Sequence, residues 1–107
     1  MSKSISHYQK EVFRIATLKG WHEKNNPFGQ TIANIHSEVS EAWEWWRNKN
    51  PSSDHIPEFS GIEEEFADVI LRILDAAVEM ELDIEGAMAA KLKYNEARAY
   101  KHGGKLA

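Results

Sequence analysis

The chain has 107 residues, 42% of them hydrophobic and 28% charged, and this composition is typical of a single small globular domain covering residues 1–107. Its formal net charge of −4 disfavours a nucleic-acid-binding protein, because such proteins usually present a basic face. Without cysteine it can form neither disulfides nor thiolate metal sites, and without a signal peptide or an apolar run of about 20 residues we expect a cytoplasmic protein that does not enter a membrane.

The first two predicted helices span residues 6–19 and 31–48. Ser6 and Gln9 form a capping-box pattern at the start of the first helix, and Gly20 is a suitable stop after its end. The second helix has apolar residues at steps of three and four, which predicts one face packed in the core. That face consists of Ile32, Ile35, Val39, Ala42, Trp43 and Trp46.

The third and fourth predicted helices span residues 60–81 and 83–100, where Ser60 with Glu63 forms another capping box and Asp83 is a favourable N-cap. The third helix has two apolar stripes on opposite sides, and both need cover. One stripe consists of Ile62, Phe66, Val69, Ile73, Ala77 and Met80, and the other of Ala67, Leu71, Leu74 and Val78. We expect a partner subunit to cover one stripe, although the first and fourth helices could cover both. The sequence predicts an all-α, four-helix, bundle-forming fold completed by oligomerisation.

Two pairs of carboxylates stand at a spacing of three residues on successive helices. Glu38 and Glu41 share one side of the second helix, and Glu65 and Asp68 share one side of the third. If the apolar faces of these helices pack together, the four carboxylates converge and repel one another unless a cation is present. Such oxygen ligands suit Mg²⁺ or Mn²⁺ rather than zinc. A di-iron site would need Glu-x-x-His pairs, which are absent, and an ordinary solvated acidic surface is the competing interpretation.

The order of these motifs resembles that of the MazG-like all-α nucleoside triphosphate pyrophosphohydrolases. A Glu-x-x-Glu motif at residues 38–41 is followed, after 23 intervening residues, by a Glu-x-x-Asp motif at residues 65–68 and then by an apolar helical stretch. The similarity covers residues 30–105. The chain departs from the pattern at Ser37, where many members carry a third glutamate, which leaves the four main ligands intact.

The resemblance implies a MazG-like fold and hydrolysis of a (deoxy)nucleoside triphosphate to the monophosphate and pyrophosphate. It implies that Mg²⁺, or Mn²⁺ in its place, is held by Glu38, Glu41, Glu65 and Asp68. We favour Glu41 as the residue that also activates the attacking water, although the sequence does not decide this. It further implies a homodimer or a homotetramer.

The remaining candidates concern the phosphates and the base. The family match on the predicted fourth helix implies phosphate contacts from Lys91 and Asn95, and Arg98, on the same stripe of that helix, is a further candidate. Arg72 could do the same, or form a salt bridge with Asp68 or Glu79. Trp45, on the same side of its helix as the carboxylates, and Trp21, which follows Gly20, are candidates for stacking on the base. His22 and His36 are weaker ones.

Two other kinds of protein remain open. One is a related all-α pyrophosphohydrolase of the dimeric dUTPase or phosphoribosyl-ATP type, which differs in substrate. The other is a non-catalytic helical module. It either binds another protein, with acidic residues that only favour solvation, or senses nucleotides by binding them with the metal but without hydrolysis. Metal binding and turnover distinguish these classes.

Overall fold

The computed structural model describes residues 3–22 and 27–98. Within these residues the chain forms helices only, with no strand, and the all-α prediction is confirmed. The helices are α1 (Ile5–Leu18), α2 (Phe28–Arg47), α3 (Gly61–Glu79) and α4 (Ile84–Ala97). None of them combines the length and the apolar character needed to cross a bilayer.

The starts of α3 and α4 follow the predicted caps. The hydroxyl of Ser60 accepts a hydrogen bond from the backbone N–H of Glu63, whose carboxylate accepts one from the backbone N–H of Ser60. The side chain of Asp83 caps α4 by accepting from the N–H of Gly86 at 2.9 Å. Both caps satisfy helical N–H groups that would otherwise lack partners.

The predicted capping box of the first helix is wrong. Ser4, not Ser6, is the N-cap of α1 and accepts from the N–H of His7 at 3.0 Å. The hydroxyl and N–H of Ser6 instead donate to the carboxylate of Glu85 at 3.2 and 3.3 Å. A contact with a residue distant in sequence has therefore replaced the local one, and it ties the start of α4 to α1.

Helix α3 is the centre of the packing, because both α1 and α2 pack against it. Few apolar side chains are buried among the described residues, and most of these are small: Ala16, Ala42, Leu74 and Ala77. Trp43 and Trp46, which the sequence pattern assigned to the core, are 60% and 63% exposed. One stripe of α3 is likewise uncovered at Phe66, Ile73 and Met80. The single chain thus leaves one apolar face of its α2–α3 pair in solvent.

Candidate functional site

The packing of α2 against α3 brings together three of the four carboxylates predicted as metal ligands. One oxygen from each of Glu38, Glu65 and Asp68 lies within 4.8 Å of the others. Glu65 is buried, with 8% of its surface exposed, and the other two are half-buried. This acidic cluster therefore offers three hard oxygen ligands at a spacing that a divalent cation could bridge.

Glu41 lies next to this cluster but is not one of its three members. It borders a separate shallow depression together with Trp45 and Glu65. Burial raises the pKa of Glu41, and the neighbouring Glu38 raises it further by repulsion and by a shared hydrogen bond. Glu41 thus stands beside the cluster, on the side that faces Trp45.

The electrostatic cost of the cluster falls most heavily on Glu65. Burial raises its pKa from an ordinary 4.5 to about 7, and Glu38 and Glu41 contribute in the same direction. The indole N–H of Trp45 opposes them by donating to Glu65 Oε2 at 2.9 Å. Burial also raises the pKa of Asp68, again with a contribution from Glu38. A bound cation would relieve this repulsion, because its positive charge favours the ionised form of each carboxylate.

Arg72 supplies part of the missing positive charge. Its Nε and Nη2 lie 3.0 and 2.9 Å from Glu38 Oε1. The sequence predicted a salt bridge with Asp68 or Glu79 on the same helix, but Arg72 pairs with Glu38 on α2 instead. This ion pair joins α2 to α3 across the acidic cluster.

A cleft of about 830 Å³ opens between α1, α2 and α3, and two members of the acidic cluster, Glu38 and Asp68, form part of its wall. Glu38, Asp68 and Arg72 line this part, while Val12, Ile15 and Leu71 are among the apolar residues that line the rest. Its volume lies in the range of pockets that hold small organic ligands.

The end of α1 places Trp21 at this cleft. Gly20 adopts the left-handed conformation, with φ 81°, and the N–H of Trp21 donates to Ala16 O at 3.0 Å. This is the glycine-dependent helix stop that the sequence predicted. The turn brings the chain to the cleft, and Trp21 lines the cleft wall with 61% of its surface exposed.

His22 fixes the same turn to α3, a contact that the sequence did not indicate. Its Nε2 lies 2.9 Å from Asp75 Oδ1, its Nδ1 contacts the carboxylate of Glu79, and its ring lies 4.6 Å from that of Phe13. Burial disfavours the charged imidazolium, but the hydrogen bonds to Asp75 and Glu79 outweigh it and raise the pKa of His22 above 6.5. Asp75 lies on the polar side of α3, one helical turn after Arg72. This spacing is the only feature of the sequence that could have indicated Asp75.

Trp45 contacts the cluster rather than the cleft. Its indole N–H bonds to Glu65, and its ring packs over Gly61 at the start of α3. The cleft is lined by Trp21 and not by Trp45. We therefore revise the interpretation of Trp45 from a base-stacking residue to one that contacts a candidate metal ligand.

The predicted phosphate-binding residues of the fourth helix lie away from the cleft. The cationic groups of Lys91 and Arg98 lie 4.5 and 5.5 Å from the ring centre of Tyr94. Neither they nor Asn95 line the cleft, and α4 packs mainly against α1. Of the residues predicted to contact phosphate, only Arg72 adjoins the acidic cluster within the chain.

A hydrogen-bonded group in the α2–α3 connection was also missed. Glu64 accepts from the buried hydroxyl of Ser53 and lies 2.7 Å from Nδ1 of His55. The carboxylate of Glu64 lies between the hydroxyl of Ser53 and the imidazole of His55, so these two residues do not form a Ser–His nucleophile pair. The Ser53 hydroxyl also accepts from two backbone N–H groups, which indicates that this group holds the connection in shape.

Comparison with protein-family models, curated proteins and solved structures found no match for this chain. The acidic cluster, the cleft and the ordered motifs therefore carry the functional argument.

The pKa of Glu65 leads to a prediction for the metal-free chain. Between about pH 4.5 and 7, folded Glu65 retains a proton that the unfolded chain releases, so this residue makes the free energy of unfolding fall as the pH rises. Glu65→Gln removes the charge and is expected to raise that free energy by roughly 1–3 kcal/mol at about pH 8 and to change it little at about pH 4. Denaturant unfolding with chelator present measures this. Glu44→Gln, at an exposed carboxylate of α2, is the matched control, and a Glu65→Gln variant less stable than the wild type at both pH values would contradict the expected repulsion.

His22 leads to a prediction of opposite sign. Its raised pKa means that the stabilisation from the protonated ring is complete below about pH 6.5 and is lost as the pH rises through the folded-state value. His22→Gln should lower the melting temperature by roughly 4–8 °C near pH 6, corresponding to about 1 kcal/mol, and by less near pH 9. Thermal melts across this range measure the difference, with exposed His36→Gln as the control. An equal loss at both pH values would mean that the ring acts by packing alone.

Proposed function

We propose that this chain is a Mg²⁺-dependent pyrophosphohydrolase that converts (deoxy)nucleoside triphosphates to monophosphate and pyrophosphate, with a MazG-like fold. The observation that carries the proposal is the meeting of Glu38, Glu65 and Asp68 within 4.8 Å, with Glu38 and Asp68 lining a ligand-sized cleft. The ordered Glu-x-x-Glu and Glu-x-x-Asp motifs, which resemble those of that family, support the same reaction.

The residues present fit a hard divalent cation. All three members of the cluster are carboxylates, and their mutual repulsion gives the folded chain a reason to take up positive charge. Glu38, Glu65 and Asp68 would hold the metal, with Glu41 completing the set of ligands. When bound, Mg²⁺ supplies charge neutralisation for the triphosphate and polarises its phosphoryl oxygens.

Water attacks the α-phosphorus, the bond from that phosphorus to the bridging oxygen breaks, and pyrophosphate leaves. We assign to Glu41 the acceptance of the proton from the attacking water. Glu41 adjoins Glu38 and Glu65 without being one of the three clustered oxygens, so its carboxylate lies beside the candidate metal ligands, where it could accept that proton. Arg72, which lines the cleft beside Asp68, is assigned to a phosphate oxygen.

The base is assigned to the region of Trp21. A half-exposed indole at the wall of an otherwise partly apolar cleft offers a flat surface for stacking. His22, the next residue, contacts Asp75 and Glu79, and these contacts hold the turn that carries Trp21 against α3. The preferred base is a question for substrate tests.

We propose further that two copies of the chain associate through the uncovered apolar face of α2 and α3, as a dimer or as part of a tetramer. Phe66, Ile70 and Trp43 are each more than half exposed on that face. Phosphate contacts from Lys91, Asn95 and Arg98 would require a second copy to bring its α4 to the cleft. Within one chain they do not line it.

Turnover is tested by incubating the purified protein with a panel of nucleoside triphosphates and Mg²⁺ and following the products by phosphorus NMR. Monophosphate and pyrophosphate are expected, at a rate that falls by roughly 100-fold or more in Glu41→Gln because the base is lost. Asp68→Asn should also be inactive, whereas Glu44→Gln, at an exposed carboxylate paired with Arg47, should retain activity.

Other outcomes identify the rival classes. Diphosphate and orthophosphate would show that a different bond is cleaved. Stabilisation by Mg²⁺ and nucleotide without turnover would favour a nucleotide-sensing module. Neither stabilisation nor turnover would favour a protein-interaction module.

Association is tested by light scattering coupled to size-exclusion chromatography. Ile70→Glu places a charge in the centre of the apolar face and is expected to reduce the measured mass to that of one chain. Leu18→Glu, at an exposed apolar position of α1, is the matched control and should keep the wild-type mass. A wild-type protein that elutes with the mass of one chain at micromolar concentration would contradict the proposed association.

A further inference from the structure

The indole of Trp45 makes a specific contact with one member of the acidic cluster. Its N–H donates to Glu65 Oε2 at 2.9 Å, in a partly buried position at the α2–α3 interface. An indole is a donor only, so it can orient a carboxylate but cannot itself bind a cation. A carboxylate that accepts this one bond still has acceptor capacity for a metal.

Gly61 makes room for the ring. A Cβ at residue 61 would lie 1.8 Å from Trp45 Cδ2 and 2.2 Å from Cε3, so any side chain there would displace the indole. Gly61 is the first residue of α3, and its φ lies outside the left-handed region that favours glycine. The close approach of the ring, rather than the backbone conformation, therefore explains glycine at this position.

The backbone under the ring is itself held in place. The N–H of Gly61 donates to Pro51 O at 2.9 Å, and the N–H of Ile62 donates to the side-chain oxygen of Asn50 at 2.9 Å. These two bonds connect the end of α2 to the start of α3 beside Trp45. The indole consequently lies between a fixed backbone and the carboxylate to which it donates.

We propose that Trp45 is a positioning residue of the metal centre, which fixes the carboxylate of Glu65 for cation binding, and that Gly61 is required to admit its ring. The inference rests on the proposed metal centre. Groups that hydrogen-bond to metal ligands typically change metal affinity by about 10- to 100-fold when they are removed. Trp45 is the neutral donor placed to act in this way on Glu65.

The test compares Mn²⁺ affinity, measured as free Mn²⁺ by electron paramagnetic resonance, between the wild type and Trp45→Phe. Phenylalanine keeps an aromatic ring over Gly61 but lacks the N–H. We expect Mn²⁺ binding weaker by about 10- to 100-fold, with little change in the chelator-treated melting temperature. Trp46→Phe, at an exposed indole one residue along, should bind like the wild type. Gly61→Ala should reproduce the loss, because its methyl group displaces the ring.

An NMR titration of the wild-type protein tests the contact between Trp45 and Glu65. Its result does not depend on whether Trp45→Phe or Gly61→Ala folds. The chain has four tryptophans, and single Phe variants at Trp21, Trp43 and Trp46 assign the indole N–H signal of Trp45 by elimination. This signal is expected to shift on addition of Mg²⁺. Unchanged Mn²⁺ affinity in Trp45→Phe, or a Trp45 signal that stays fixed in saturating Mg²⁺, would overturn the positioning role while leaving the metal centre intact. A wild type that binds neither ion would overturn both.

Discussion

Mutual repulsion among Glu38, Glu65 and Asp68 is the constraint to which the rest of the structure responds. Three carboxylate oxygens lie within 4.8 Å at a helix interface where water is partly excluded, and ionising all of them there is costly. The chain offsets this cost with Arg72 on Glu38 and Trp45 on Glu65. The interface that joins α2 to α3 thus also holds close carboxylates whose mutual repulsion is only partly offset.

The two compensating groups differ in what a cation would do to them. Arg72 neutralises Glu38 by charge, so a cation that binds Glu38 competes with it directly. Arg72 lines the cleft and, once released, would face a negatively charged ligand there. The neutral N–H of Trp45 does not compete for charge and can keep its bond to Glu65 while a cation binds. One group would therefore be exchanged on metal binding, and the other would stay in place.

The sequence predicted those features that depend on local spacing. The caps at Ser60 and Asp83, the stop at Gly20 and the clustering of Glu38, Glu65 and Asp68 follow from residues a turn apart or from two packed helices. Contacts that depend on distant partners were missed or misread. His22 meets carboxylates more than fifty residues away, and Ser6 meets Glu85. Trp45 shares a side of α2 with the carboxylates, but helical periodicity does not reveal that Gly61 gives its ring a place to pack.

Helix α4 carries the predicted phosphate-binding residues, but it lies away from the cleft. The acidic cleft contains Arg72 but neither Lys91 nor Arg98, which lie beside Tyr94 on an exposed helix held to α1 at its first turn. Lys19 also lines the cleft, so Arg72, Lys19 and a bound cation would together oppose the negative charge of a triphosphate there. The aromatic and aliphatic residues left in solvent on α2 and α3 need cover for an independent reason, the removal of apolar surface from water. Association of two copies would remove this apolar surface from water, and it would also serve the proposed mechanism only if it brought a second α4 to the cleft.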